Sequence, residues 1–435
     1  MSEQPEGLEQ DRTAVELFAG GGGLAMGVQR AGFRPLLFNE FAKRACETLA
    51  INGEKPIPVD IEAAETEGDS DCLWIPGPGE RPPLAVGDIR KVRFSYLEGK
   101  VDVLAGGPPC QPFSLGGIAK GDEDKRNMFP EMFRAIREMK PKAVICENVR
   151  GLLRPSFKPY FDYIVREMEL PFEERGGDVL WQEHDEVLRR KLAEGTVDPA
   201  QRYQVVVTQV NAADYGVPQV RQRIIIVAFR ADLNVDLEAF QYRVRPTHSE
   251  DALFQSMLDG TYWERHEVPA GVRKHVMARI PNTISRADRL QPWRTLRDAI
   301  RGIEENEGKP LPPIPPEFLD RRERNLGNVT DHIGWPGARI YAGHTPNELD
   351  RPAKTVKAGV HGVPGGESVM LLDDGTHRYM TVRETARVMT FPDSWRLEGP
   401  RGEQMRQLGN AVPVRLGEVF AKAVAETLRE SEARG

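Results

Sequence analysis

Four cysteines in 435 residues, without a CxxC pair or a Cys/His cluster, offer no zinc site and no disulfide framework, and they fit a reducing cytosol. Long apolar runs are missing, so no membrane span is expected. The opening residues, MSEQPEGLEQDR, are polar and acidic, which gives no reason to read a signal peptide or an anchor. There is no internal repeat. An excess of positive charge is also lacking. With a formal net charge of −7, the chain is a poor candidate for a purely electrostatic nucleic-acid binder, because non-specific binding is dominated by phosphate neutralisation.

What is present is enough apolar material, 40% of residues, to bury one large domain with an insertion, or two domains. Charge is segregated. Arginines cluster at Arg221 to Arg230, Arg243 to Arg245, Arg273 to Arg297 and Arg321 to Arg324, whereas acids collect at Glu62 to Asp71 and Glu167 to Glu186. Such a distribution can give an acidic protein one basic face.

Strand and helix patterns alternate from the start. Thr13 to Phe18 reads as a buried strand that runs into AGGGGLAMG and a helix over Leu24 to Ala31. A strand, a glycine-rich turn and a helix make a nucleotide-binding opening, since the backbone must turn tightly and approach the ligand closely. A second strand, Pro35 to Asn39, ends in Glu40, placed to meet ribose hydroxyls. A third acidic strand end comes at Gly87-Asp88-Ile89. Val101 to Ala105 is the strand feeding GGPPCQPFS, where Pro108 and Pro109 stiffen the backbone before Cys110. Helix follows over Met128 to Met139 and strand over Pro141 to Glu147, which opens the tripeptide ENV. Tyr203 to Val210 and Arg223 to Phe229 read as strands flanking YGVPQVRQR. The alternation predicts a mostly parallel α/β sheet. Glu62 to Pro83 and Pro171 to Ala200 read as insertions, the first as a surface loop. From about Arg243 to Asp350 the chain is rich in Pro, Arg, His and Trp without strong periodicity, and a separate small domain of irregular or β structure is expected. Helices at Thr381 to Thr390 and Pro413 to Leu428 close the chain.

Cysteine attacks only as thiolate, and a carboxylate at a strand end is a natural proton donor or acceptor. A thiol on a stiff turn with such a carboxylate one βα unit away, Cys110 and Glu147, is equipment for attacking a pyrimidine ring. Cys46, Cys72 and Cys146 read as ordinary small hydrophobes.

Eight motifs in one order, ELFAGGGGLAMG, FNEF, GDI, GGPPCQPFS, ENV, YGVPQVRQR, RPAKTV and QLGNAVPV, resemble the DNA cytosine-5 methyltransferase family, and among its members the prokaryotic and phage modification methylases. The resemblance runs from Val15 to Val414. It implies a Rossmann-like S-adenosylmethionine-dependent α/β sheet with a second, smaller target-recognition domain. The implied division is 1–243 catalytic, 244–350 target recognition, and 351–435 a return to the catalytic domain. S-adenosylmethionine would pack against Phe18 and Phe41. Ala19, Gly20, Gly22 and Gly23 would receive its methionine part, Glu40 its ribose, and Asp88 with Ile89 its adenine, with Gly107, Pro109 and Asn410 completing the site. Glu16 stands where the family often has aspartate. Cys110 would add to carbon 6 of cytosine, Glu147 would hold the amino group and ring nitrogen 3, and Arg223 would contact the ring oxygen. Arg221 joins the catalytic set with a structural or phosphate-binding role open to it. No metal is implied. The target base would have to leave the duplex, with Leu115 to Asn127 as a lid.

The partner so implied is double-stranded DNA, met by a protein acting as a monomer in a prokaryotic cytoplasm, at the nucleoid, alongside a separate cognate restriction endonuclease. Nothing in the chain looks like a nuclease or ATPase module. Members acting on tRNA have a much shorter variable region and a Cys-Phe-Thr signature, absent here. A catalytically silent DNA-binding regulator would have lost the thiol, the ENV acid or the glycine turn. An NAD dehydrogenase would leave Cys110 and Glu147 without a joint task.

Overall fold

The computed structural model of the chain describes residues 12–67, 72–109, 127–284, 289–306, 308–319, 325–340, 345–358 and 368–434. Its strands are β1 (Arg12–Leu17), β2 (Phe33–Glu40), β3 (Ile57–Asp60), β4 (Pro83–Val86), β5 (Val103–Gly106), β6 (Ala143–Val149), β7 (Tyr203–Asn211) and β8 (Gln222–Arg230). They form one sheet in the order β3-β4-β2-β1-β5-β6-β8-β7. The first six run parallel, and β8 is antiparallel to both β6 and β7.

The sheet is covered on both faces, as a parallel sheet requires. Alternate residues of each strand go to opposite layers. Val15, Leu17, Leu104, Val144 and Cys146 pack on one side with Phe133 and Ile136 of α4 (Phe129–Met139) and Ile164 of α5 (Lys158–Glu169). Ala14, Val103, Ala105 and Ile145 pack on the other with Leu24 of α1 (Gly23–Arg30) and Leu416, Phe420 and Val424 of α14 (Val414–Glu432). Between these helices in sequence come α2 (Lys43–Ile51), α3 (Ile61–Glu67), α6 (Trp181–Glu194) and α7 (Leu237–Arg243).

Residues 57–67 and 72–83 are more structured than expected. Ile57–Asp60 is an edge strand, a helix follows, and Cys72, Leu73 and Ile75 pack against the main core. The surface loop expected over Glu62 to Pro83 is therefore corrected, among the described residues, to a helix and a stretch packed on the core, with the edge strand just before it.

The expectation of irregular or β structure after Arg243 is also corrected. The described residues there carry α8 (Glu250–Asp259), α9 (Thr261–Arg265), α10 (Ala270–Met277) and α11 (Leu296–Arg301), with strands of only two residues. Two packing groups result. Leu253, Phe254, Met257, Tyr262 and Trp263 form a small core of their own. Leu296 and Ala299 instead join Ala353, Val356 and the apolar faces of α12 (Val382–Val388) and α13 (Arg401–Asn410). Arg383 and Arg387 of α12 are fully buried and donate to backbone carbonyls, Arg383 to Thr330, Pro392 and Trp395, Arg387 to Ala299, Ile300 and Lys309. No described helix is long and apolar enough to cross a membrane.

On α5, burial holds the Glu167 carboxyl up at about 7, against partial relief from the Tyr163 hydroxyl, Arg175 and Arg137. Its folded pKa lies above its unfolded one. The stability it contributes is complete below about pH 4.5 and is lost as pH rises through about 7. Glu167→Gln should remove this dependence. Urea unfolding at about pH 5 and about pH 8 should show the wild type losing on the order of 2 kcal/mol more than the variant. Equal losses in both proteins would refute the assignment.

Candidate active site

The parallel strands all end on one edge, where open α/β sheets bind ligands. The glycine-rich turn lies at the end of β1. The N–H of Gly22 donates to the Ala19 carbonyl at 3.0 Å, and the N–H of Ala19 donates to Asn39 at 3.1 Å. Gly22 has φ +88°, and a Cβ there would stand 2.6 Å from the Trp395 ring. At Gly23 a Cβ would fall 2.1 Å from the carbonyl oxygen of Val412. The run of glycines thus serves two contacts: the turn itself, and the seating of QLGNAVPV against the start of α1. Trp395 completes the seat by donating its indole N–H to the Gly21 carbonyl at 3.1 Å.

Glu40 closes the turn from the neighbouring strand. Its carboxylate accepts from the backbone N–H of Gly20 at 2.7 Å, Phe41 at 2.9 Å and Ala42 at 2.7 Å. Beside it the Phe41 ring is 71% exposed, unusual for a large apolar side chain at a sheet edge and suited to a flat ligand. Phe18, in the left-handed region at φ 57°, turns the chain out of β1. Asp88 sits at the end of β4 with Ile89 buried behind it. The Asp88 carboxylate accepts the N–H of Arg90 at 3.0 Å and pairs with the Arg90 guanidinium, which holds its pKa below the usual range. Arg90 is about half exposed. An incoming amino group therefore has only a half-exposed surface side chain to displace.

These residues fit the cofactor that the sequence implies: an apolar platform at Phe41, a carboxylate fixed by backbone amides, and a turn open to approach. Around Gly20 a Cβ would meet nothing within 4 Å. Asn410 is the exposed last residue of α13. One turn earlier, Gln407 lies 3.4 Å from a Cβ built on Gly21, so α13 touches the turn through a residue the motif reading did not single out.

The second half of the site is built by β5, β6 and β8. Pairing of Gly106 with Cys146 sets the end of β5 beside the ENV tripeptide. Asn148 donates its side-chain amide to the Pro108 carbonyl at 3.0 Å. A Cβ on Gly107 would lie 3.7 Å from Glu147 Oε2. Pro109 is exposed, and its carbonyl accepts from Met128 at 3.3 Å, so the chain departs and returns at one point. Cys110 and, of the expected lid Leu115 to Asn127, all but Asn127 lie outside the described residues.

Glu147 is 8% exposed, and its Oε1 stands 2.7 Å from Nε of Arg223 as an ion pair without the alignment of a hydrogen bond. Register explains the meeting, because Val149 pairs with Arg223 across the antiparallel β6–β8 ladder. Arg221 behaves differently. Fully buried, it donates to the carbonyls of Val356, Gly409 and Ala411, each at 2.9 Å. Burial and then the nearby Arg223 charge pull its pKa down to about 9. Of the two roles open to Arg221, these contacts favour the structural one: its guanidinium staples RPAKTV and QLGNAVPV to the sheet. Gln219, equally buried, does the same work through the N–H of Val356 at 3.2 Å and the sulfur of Met389 at 3.0 Å. Nothing in the motif marked Gln219 beyond its place in YGVPQVRQR.

The motifs thus converge on one sheet edge, and the whole chain can be compared with known proteins. The C-5 cytosine-specific DNA methylase family matches residues 13–74, 80–170 and 198–426. The chain belongs to this family. The methylase is 30% identical over 417 residues to the type II methyltransferase M.PspPI of Psychrobacter, covering 95% of this chain and 79% of that protein. It is 27% identical over 424 residues to M.NgoMIV of Neisseria gonorrhoeae, covering 96% and 98%. Among solved structures, a prophage-encoded protein from E. coli titled as a DNA modification methyltransferase aligns over 96% of the methylase and 99% of its own chain, at a TM-score of 0.51 and 19% identity. DNMT2 of Spodoptera frugiperda aligns over 95% and 99%, also at a TM-score of 0.51 and at 14% identity. Both likenesses concern the fold, a Rossmann-like α/β core with a smaller additional part. The expected insertion at Pro171 to Ala200 coincides with the unmatched residues 171–197. Most of Glu62 to Pro83 lies within the match, and only residues 75–79 fall outside.

Proposed function

We propose that this enzyme methylates carbon 5 of one cytosine within a defined sequence of double-stranded DNA, with the base flipped out and Cys110 as covalent nucleophile. The observation that carries the reading is the Glu147–Arg223 pair. It stands at the ligand-binding edge against Gly107, three residues before Cys110.

Carbon 5 of cytosine is too weak a nucleophile to be methylated directly. When the Cys110 thiolate bonds to carbon 6, the ring electrons move towards carbon 5, and negative charge builds at ring nitrogen 3 and the ring oxygen. Glu147 gives a proton or hydrogen bond at nitrogen 3, and Arg223 meets the oxygen. S-adenosylmethionine would be held across Gly20 to Gly23, Glu40, Phe41 and Asp88, and would supply an electrophilic methyl group to carbon 5, leaving as S-adenosylhomocysteine. Loss of the carbon-5 proton to a base then expels the thiolate and restores the ring.

Duplex DNA is favoured by the long segment between the arginine motif and RPAKTV, and by relatives named as type II methyltransferases. Such a name also suggests a separate cognate endonuclease. We assign DNA contact to the segment 244–350, where Arg273, Lys274 and His275 of α10 are all exposed; cations there meet phosphates and base edges. The test is bisulfite sequencing of a plasmid recovered from cells expressing the wild type or Cys110→Ser. Protected cytosines in one recurring sequence, with the wild type only, are expected. Full conversion of both plasmids would overturn the DNA reading and direct the same assay to tRNA.

A further inference from the structure

Helix α6 lies wholly within residues 171–197, between the stretches that match the family. Its outer surface is charged, yet His184, Asp185 and Leu188 are buried. Trp181 packs on two tyrosines of α5, with ring centroids 5.3 Å from Tyr160 and 5.5 Å from Tyr163. His184 Nδ1 lies 3.0 Å from the Tyr163 hydroxyl, and Arg166 donates to Asp185 at 2.5 Å. An added helix held only for solubility would not need four directed contacts to one neighbour.

Those contacts lead towards the site. The phenolic oxygen of Tyr160 accepts a buried hydrogen bond from Asn127 Nδ2 at 2.6 Å. Asn127 also accepts the N–H of Phe129 at 3.3 Å, at the start of α4, and the adjacent Met128 donates to the carbonyl of Pro109 at 3.3 Å. Pro109 immediately precedes Cys110, and its neighbour Pro108 is held by Asn148 of the ENV tripeptide. One chain of contacts therefore joins α6 to the backbone beside the nucleophile.

We propose that α6 is a positioning element for methyl transfer in this enzyme: Trp181 sets Tyr160, Tyr160 sets Asn127, and Asn127 fixes the return of the chain against Pro109. Trp181, Tyr160 and Asn127 are positioning residues, since none touches the reacting atoms. The inference rests on Cys110 being the nucleophile. Small displacements of a reacting group are costly, because the attack geometry tolerates little error.

The experiment is single-turnover transfer of tritiated methyl groups from S-adenosylmethionine to unmethylated bacteriophage DNA, using the full chain. Tyr160→Phe keeps the ring and deletes only the hydroxyl. It should slow transfer about tenfold, as should Asn127→Ala, since each loses the same buried hydrogen bond. Cofactor KM and DNA affinity should stay at wild-type values. The double variant should be no slower than Asn127→Ala alone, because both substitutions break the same link and only Asn127→Ala also loses the Phe129 contact. Trp181→Phe should retain most of the rate that Trp181→Ala loses. Wild-type rates for Tyr160→Phe and Asn127→Ala, or effects that multiply in the double variant, would overturn the proposal. Cys110→Ser in the same assay separates the two levels. If it is inactive while Tyr160→Phe is unimpaired, the brace alone fails; if it is active, the nucleophile assignment fails and the brace with it.

Discussion

Cys110→Ser is expected to lower methyl transfer by roughly 10⁴-fold or more while leaving S-adenosylmethionine binding unchanged. A thiol with an ordinary pKa near ~8.5 already holds a few per cent thiolate at neutral pH, and sulfur is intrinsically the better nucleophile. A serine hydroxyl holds essentially no alkoxide at neutral pH, so almost none of it is in the form that adds to carbon 6. The cofactor platform at the turn is fixed by other residues. Glu40 is fixed by the amides of Gly20, Phe41 and Ala42, and Asp88 by Arg90. Equilibrium dialysis of labelled cofactor should therefore give equal affinity for both proteins. A duplex with 5-fluorocytosine at the target position offers a second readout, because fluorine cannot leave as the carbon-5 proton does. The wild type should then be trapped as a complex that survives denaturing electrophoresis, and Cys110→Ser should not. A trapped serine variant would refute the assignment.

How much of this could be read in the sequence depended on how local each signal was. The strands that build the site were legible because a short continuous apolar run reports burial on both faces, and Val15, Leu104 and Val144 are buried in one layer while Ala14, Val103 and Ile145 are buried in the other. β3 was not legible: Ile57–Asp60 is four residues with a mostly exposed pattern and contains Pro58, so it carries no period at all. The helices after Arg243 left a clue that composition obscured. Ser249 caps α8 through the N–H of Ala252, and Thr295 with Asp298 makes a capping box at the start of α11, a spacing visible in sequence. The role of Arg221 was left open for the opposite reason. Two residues from Arg223, it invites the same reading on an extended strand. Its partners, though, lie 135 to 190 residues further on. The bridge between Gln219 and Ala353, with the backbone hydrogen bonds of Ala353 to Pro218 and of Val220 to Ala353, shows that RPAKTV runs alongside the arginine motif, where it absorbs that side chain.

Glu147→Gln is the second variant of large effect, with an expected loss of about a thousandfold in single-turnover rate at nearly unchanged DNA affinity. An amide of the same shape can still accept from the cytosine amino group, so binding survives. It cannot relay a proton to ring nitrogen 3, so the charge created by sulfur attack is left unsupported. The stability of the variant tests the geometry separately. Glu147 and Arg223 side chains are only 10% and 13% exposed, and removing one charge of such a pair leaves the other uncompensated at a cost of roughly 3 kcal/mol. Arg223→Gln should destabilise similarly and also lower the rate. In the double variant the stability should recover towards wild type, since no unpaired charge remains, whereas the rate should not. Guanidinium unfolding and single-turnover kinetics on the four proteins would decide the matter. If rate recovered together with stability, the two residues would be a structural pair, and the proton at nitrogen 3 would have to come from elsewhere.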